Sequence, residues 1–163
     1  TTPRDLENNQ DVQIIFMALA ESVSARLREN GFKCRTVEIS IRDNGLYHFT
    51  RQMKLNAATD ITNEIMGAAY RLFCRNYDWK QPIRSLGIRG TDLISAHAPV
   101  QMNLFMDQEK REKLELMDRA VDDIRRRFGY FSVQRAMMYQ DKLLSNLDAK
   151  GNHTVHPVGY FHG

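Results

Sequence analysis

The order helix, strand, strand, helix, strand predicts an α+β domain, a ferredoxin-like split βαβ mixed sheet with two helices on one face. Three observations carry this expectation. Two stretches repeat apolar residues at three- and four-residue steps, a period-two stretch lies between them, and another strand-like stretch follows. The fold's first strand is expected to be truncated, falling at or before Thr1. A later charged stretch with one apolar seam adds a helical C-terminal extension.

Val12, Ile15, Phe16, Leu19, Val23 and Leu27 share one helical face, so roughly residues 10–29 form an amphipathic helix closed by Asn30-Gly31. Val37, Ile39 and Ile41 then alternate with Thr36, Glu38, Ser40 and Arg42, the pattern of a strand with one covered and one open side. Asp43-Asn44-Gly45 predicts a turn, because Asn and Gly tolerate positive φ, and Phe49, Met53 and Leu55 continue into a second strand. Thr59 or Asp60 is the expected cap of a second helix, with Ile61, Ile65, Ala68, Ala69, Leu72 and Phe73 on one stripe. Pro82 to Arg89 reads as the last strand, weakened at Gly87 unless something packs closely there.

Beyond it, Leu114, Met117, Val121, Ile124 and Phe128 form an apolar seam on a segment with seven acids and seven bases between Asp107 and Phe128. Gly129 interrupts that helix, and a shorter one is expected from near Ser132, carrying Ala136, Met137, Leu143, Leu144 and Leu147. The tail from Lys150 to Gly163 lacks periodicity and reads as irregular.

A chain of 163 residues and 19.0 kDa has room for one compact domain plus a helical appendage. With 42% hydrophobic and 26% charged residues it has the make-up of a folded soluble protein. No apolar run approaches the roughly 18 residues that span a bilayer, so no membrane contact is expected. The opening TTPRDLENNQ has no basic or apolar leader and reads as a cut inside a longer protein. Cys34 and Cys74 have no CxxC partner, which points to a reducing compartment and away from zinc or disulfides. From Lys33 to Lys54 five basic residues face two acidic ones, so the excess charge sits in the predicted hairpin.

The polar side of that hairpin carries Thr36, Ser40, Arg42, His48, Thr50, Gln52 and Lys54, hydroxyls and amides interleaved with cations, a set suited to phosphate oxygens. Gln101, Met102, Asn103, Leu104 and Phe105 follow Pro99, which biases the backbone before it toward extension. One polar and two apolar groups on an extended strand suit a protein pocket.

As a set, TVEISIRDNGLYHFTRQMKL, PIRSLGIRGTDL and QMNLF resemble the C-terminal little finger domain of bacterial Y-family translesion DNA polymerases of the DinB and UmuC type. The likeness covers about residues 1–105 and thins from Asp107 onward. It implies three parts: residues 1–98 as a DNA-binding little finger, 99–106 as a peptide for the β sliding clamp, and 107–163 as a helical extension and tail. It implies that one sheet face grips the backbones of duplex DNA across the major groove. Arg51, out of step with the open face, and Arg89, on the last strand, join the DNA-binding set on this ground. QMNLF resembles the QLxLF peptide by which replication proteins hold the clamp. The implied role is DNA damage bypass within the SOS response, in the cytoplasm at the nucleoid. The extension is a candidate contact for another repair protein.

Nucleotidyl transfer needs metal-bound carboxylates. In the family these lie in the palm, which uses magnesium and would precede Thr1, so this fragment is expected to be non-catalytic and free of cofactors. Asp122-Asp123 reads as a solvent-facing pair, and His48, His153, His156 and His162 as surface histidines rather than metal ligands. Two other classes are carried as alternatives. An RNA-binding ferredoxin-like module would need Tyr47 and Phe49 on the open face, and a helical adaptor would use the seam between 107 and 147.

Overall fold

The computed structural model describes residues 1–99 and 106–151. Helix α1 spans Asn9–Glu29. Its N-cap is Asn8, whose Oδ1 accepts from the Asp11 amide at 2.9 Å, and Gly31 takes φ +70° just past Asn30. Glycine fits there because a Cβ disfavours left-handed φ.

Strands β1 (Phe32–Asp43) and β2 (His48–Thr59) form the expected hairpin. At its turn the Asp43 carboxylate accepts from the Tyr47 amide at 2.9 Å. The positive φ falls on Leu46 at +69°, not on Asn44 or Gly45, so the turn is longer than the Asn-Gly signal predicted. Helix α2 runs Thr62–Asn76, and strand β3 runs Ile83–Ser95, six residues beyond the expected end at Arg89. Neither Thr59 nor Asp60 caps α2. The N-cap is Ile61, which has no side-chain cap bond, and the Thr62 amide instead donates to Asp118 Oδ2 at 2.8 Å. A distant carboxylate thus takes the place of a local cap at a helix N-terminus that favours negative charge.

The strand order is β2-β1-β3, and both ladders are antiparallel where a mixed sheet was expected. The hairpin sets the first pairing and the return through α2 sets the second. Ahead of α1 a single antiparallel bridge joins Leu6 to Ile83, with N–H···O distances of 2.8 and 2.9 Å. Both helices pack on one face, burying Val37, Ile39 and Ile41 of β1 under Phe16, Ile15 and Val12 of α1 and Phe73, Ile65 and Ala69 of α2. Phe16 and Phe73 meet edge to face at 6.1 Å. Side chains of this size contribute about 1.5–3 kcal/mol each on full burial, and they fix which sheet face is covered.

The extension folds as α3 (Gln108–Phe128), two 3-10 turns at Tyr130–Ser132 and Ala136–Gln140, and the one-turn helix α4 (Lys142–Ser145). The continuous shorter helix expected from Ser132 is broken into these pieces. The docking of α3 inverts the amphipathic expectation. Its buried residues are Arg111 and Asp118, whereas of the apolar seam Leu114 and Val121 are half-buried and Met117, Ile124 and Phe128 are 40%, 39% and 73% exposed. Arg28 of α1 forks onto Asp122 at 2.6 and 2.9 Å and reaches Asp118 at 3.3 Å. Arg111 forks onto Glu64 of α2 at 2.7 and 3.1 Å, and Arg135 joins Asp118 to Glu21 at 3.1 and 2.9 Å. Asp122 is therefore an ion-pair partner rather than a solvent-facing acid, while Asp123 does face outward, paired with Arg126.

Candidate nucleic-acid interface

Residues directly opposite in an antiparallel ladder share a face. The register pairs Thr36 with Lys54, Glu38 with Gln52, Ser40 with Thr50 and Arg42 with His48, and these alternate with the helix-covered pairs of Val37, Ile39 and Ile41. On the other side of β1, Thr36 meets Thr91, Glu38 meets Arg89, Ser40 meets Gly87 and Arg42 meets Ser85. Three strands thus present one continuous polar face. Arg42, His48, Thr50, Gln52, Lys54 and Arg89 are exposed on it, and Thr36 and Ser40 are half-buried. The described hydrogen bonds and ion pairs from α3 to the sheet and its two helices fall on Glu21, Arg28, Lys33, Ala58, Thr62 and Glu64, and none falls on a residue of this face.

Sequence placed Glu38 on the open side and marked Gly87 as a point of close packing, but named the partner of neither. Glu38 sits in the middle of the face with Nη1 of Arg89 at 3.5 Å, the one carboxylate among the described residues in the register from Thr36 to Arg42. Gly87 lies against Ser40, whose hydroxyl oxygen a Cβ at Gly87 would overlap. The glycine that seemed to weaken the strand therefore permits a close approach between β1 and β3, and keeps the surface low at its centre.

Arg51 is placed elsewhere. It is opposite Ile39, on the helix side of the edge strand β2, with its guanidinium 5.1 Å from the Phe49 ring centre and Nη1 donating to the Thr50 carbonyl at 2.8 Å. Phe49 pairs with Ile41 and also faces the helices, and Tyr47 packs beside it at 5.9 Å. The aromatic display on the open face that an RNA-binding sheet would need is absent among the described residues. Gln101, Met102, Asn103, Leu104 and Phe105 lie outside the described residues, as do His153, His156 and His162. Among the described residues no group of three His, Cys, Asp or Glu is placed to hold a metal, and no helix is long and apolar enough to cross a membrane. Burial pushes the Cys34 thiol up to about 11, so this cysteine is inert packing; Cys74 is exposed.

The sheet is one-sided, with hydroxyls and cations from three strands on its open surface. The chain belongs to the impB/mucB/samB family C-terminal domain, whose model matches residues 1–104, and so to the little finger region of Y-family polymerases. It is 46% identical over 147 residues to DNA polymerase IV of Acetivibrio thermocellus, covering 90% of this chain and 37% of the relative. It is 34% identical over 140 residues to DNA polymerase IV 2 of Bacillus subtilis, covering 83% of this chain and 33% of that protein. DNA polymerase IV of Clostridium acetobutylicum is 28% identical over 141 residues, covering 86% and 35%. The chain therefore spans about a third of the length of these relatives. The matches run past residue 104, so the extension is shared with them.

Proposed function

We propose that this chain is the non-catalytic part of a lesion-bypass polymerase that grips duplex DNA by its phosphates and tethers the enzyme to the β sliding clamp. The observation that carries it is the open face, where cations and short hydroxyls from three strands share one register and none of the described helices covers them. Arg42, Lys54 and Arg89 supply charge, and Thr36, Ser40, His48, Thr50 and Gln52 supply hydrogen bonds that position the backbone without reading sequence. Arg51 reaches DNA only where a strand wraps the edge of β2. Family membership supports the reading, since the relatives named above are DNA polymerases.

If about four phosphates are neutralised, log K falls with log[salt] at a slope of roughly −3.6, and the grip alone is weak near physiological salt. A second contact is then needed, and Gln101 to Phe105 provide it as a clamp peptide. Residues 1–98 serve as the DNA grip, 99–106 as the tether and 107–163 as an extension. A role at the nucleoid follows from both partners.

The test is a salt titration of duplex binding. Changing Arg42, Lys54 and Arg89 together to Gln should flatten the slope by about 1.8, since Arg89 is already paired with Glu38, while leaving the melting temperature unchanged, because all three are exposed. An unaltered slope refutes the open face as the DNA surface. A helical contact with another repair protein is a second reading, favoured by Met117, Ile124 and Phe128 standing exposed on α3.

A further inference from the structure

We propose that the cleft at the free edge of β2 binds a single-stranded segment of nucleic acid, one base stacking on Tyr47 while its phosphates meet Arg51 and Arg75; this rests on the DNA-gripping reading above. The cleft is a cavity of about 570 Å³ between the hairpin tip and the end of α2, lined by Tyr47, Phe49, Arg51, Arg75 and Tyr77 among others. Its charge is not spent internally. Among the described residues neither Arg51 nor Arg75 has a carboxylate partner, and the acids at the rim are committed elsewhere. Asp43 is buried and accepts from the Tyr47 amide, and Asp78 is paired with Lys80 at 3.2 Å. Arg75 is not needed to close its own helix either, since Asn76 Nδ2 and the Tyr77 amide already satisfy the carbonyls of Leu72 and Phe73.

The aromatic side of the cleft has an inner and an outer end. Phe73, Tyr77 and Phe49 stack inward against the core at 5.5 and 6.3 Å between successive rings, which accounts for them as packing. Tyr47 is different. It is 64% exposed, its ring 5.9 Å from that of Phe49 and beside Leu46 at 65% exposure. An open ring face next to two guanidiniums that have no carboxylate partner among the described residues matches a base and its flanking phosphates, because every base has a π-face and arginine pairs with phosphate in a planar fork. A duplex keeps its base faces stacked inside, so only a strand with free bases satisfies both halves of the site. The location is apt: Arg51 is flanked in sequence by Thr50 and Gln52 of the open face, so a strand leaving that face around the edge of β2 meets the cleft next.

Fluorescence anisotropy on the whole chain tests this with three probes: a blunt duplex, the same duplex with a short oligothymidine overhang, and free oligothymidine. The overhang should tighten binding about tenfold, within the range of one stacked base. Tyr47→Ala combined with Arg75→Gln should abolish that gain and leave blunt-duplex affinity unchanged, both residues being exposed. Equal affinity for blunt and overhanging duplex, or a gain that survives the double variant, overturns the proposal. If the blunt duplex fails to bind, the phosphate-grip reading falls separately, and the free oligothymidine decides the cleft: binding lost in the double variant supports it, no binding overturns it.

Discussion

Glu38 is the residue whose charge opposes the proposed function of the surface it occupies. It faces Gln52 on one side and Arg89 on the other, and its carboxylate is 24% exposed while Arg89 is 72% exposed. A pair this open contributes little to folding, about 0–1 kcal/mol, yet it neutralises one of three cations on the face and repels an approaching phosphate. Glu38→Gln should therefore raise duplex affinity roughly threefold to fivefold and steepen the salt slope by about one unit, read in a salt series on one duplex. A slope identical to that of the unaltered chain would show that Glu38 lies outside the contact. Sequence alone gave the side Glu38 is on, because alternation with Val37 and Ile39 puts it with Ser40 and Arg42. Its partner was hidden, since Arg89 lies on a strand whose register no local pattern specifies.

At the scale of the element, α3 is held by charge rather than by its apolar seam. Asp118 is 3% exposed and serves Arg28, Arg135 and the Thr62 amide at once, tying α1, α2 and the turn before Met138 to one carboxylate. Removing it leaves the buried Thr62 amide without its acceptor and takes one of two anions from each guanidinium, Arg28 keeping Asp122 and Arg135 keeping Glu21, so Asp118→Ala should cost about 2–3 kcal/mol in denaturant unfolding. The Lys33–Glu115 pair at 3.0 Å sits nearer the rim, and Glu115→Gln should cost under about 1 kcal/mol. Equal losses for the two would mean that the network carries no special weight. The helix itself was plain from the sequence, with Gly129 marking its end, but its docking side was not. Arg28 and Asp122 are 94 residues apart, and a period reveals the face of a helix without naming what covers it. The same limit explains the missed cap of α2, where the acid at its N-terminus comes from α3.

For the whole molecule, the proposed tether lies between two fixed points. The Ala96 amide donates to the Gly31 carbonyl at 2.8 Å where β3 ends, and Asp107 caps α3 by accepting from the Lys110 amide at 3.0 Å. A clamp pocket holding such a peptide at micromolar strength gains about −8 kcal/mol. Linked through a few residues to a DNA grip, each contact sees the other at an effective concentration near millimolar, and the pair outlasts either alone by about 10²–10⁴-fold where the geometry admits both. The two contacts are thus separable by mutation in a way a single composite interface would not be. Leu104→Ala with Phe105→Ala should abolish retention on a clamp-loaded duplex, leave affinity for free duplex unchanged, and leave the melting temperature unmoved. Clamp retention that survives the double variant ends the tethering proposal, and a fall in melting temperature would instead assign Leu104 and Phe105 to the protein's own core.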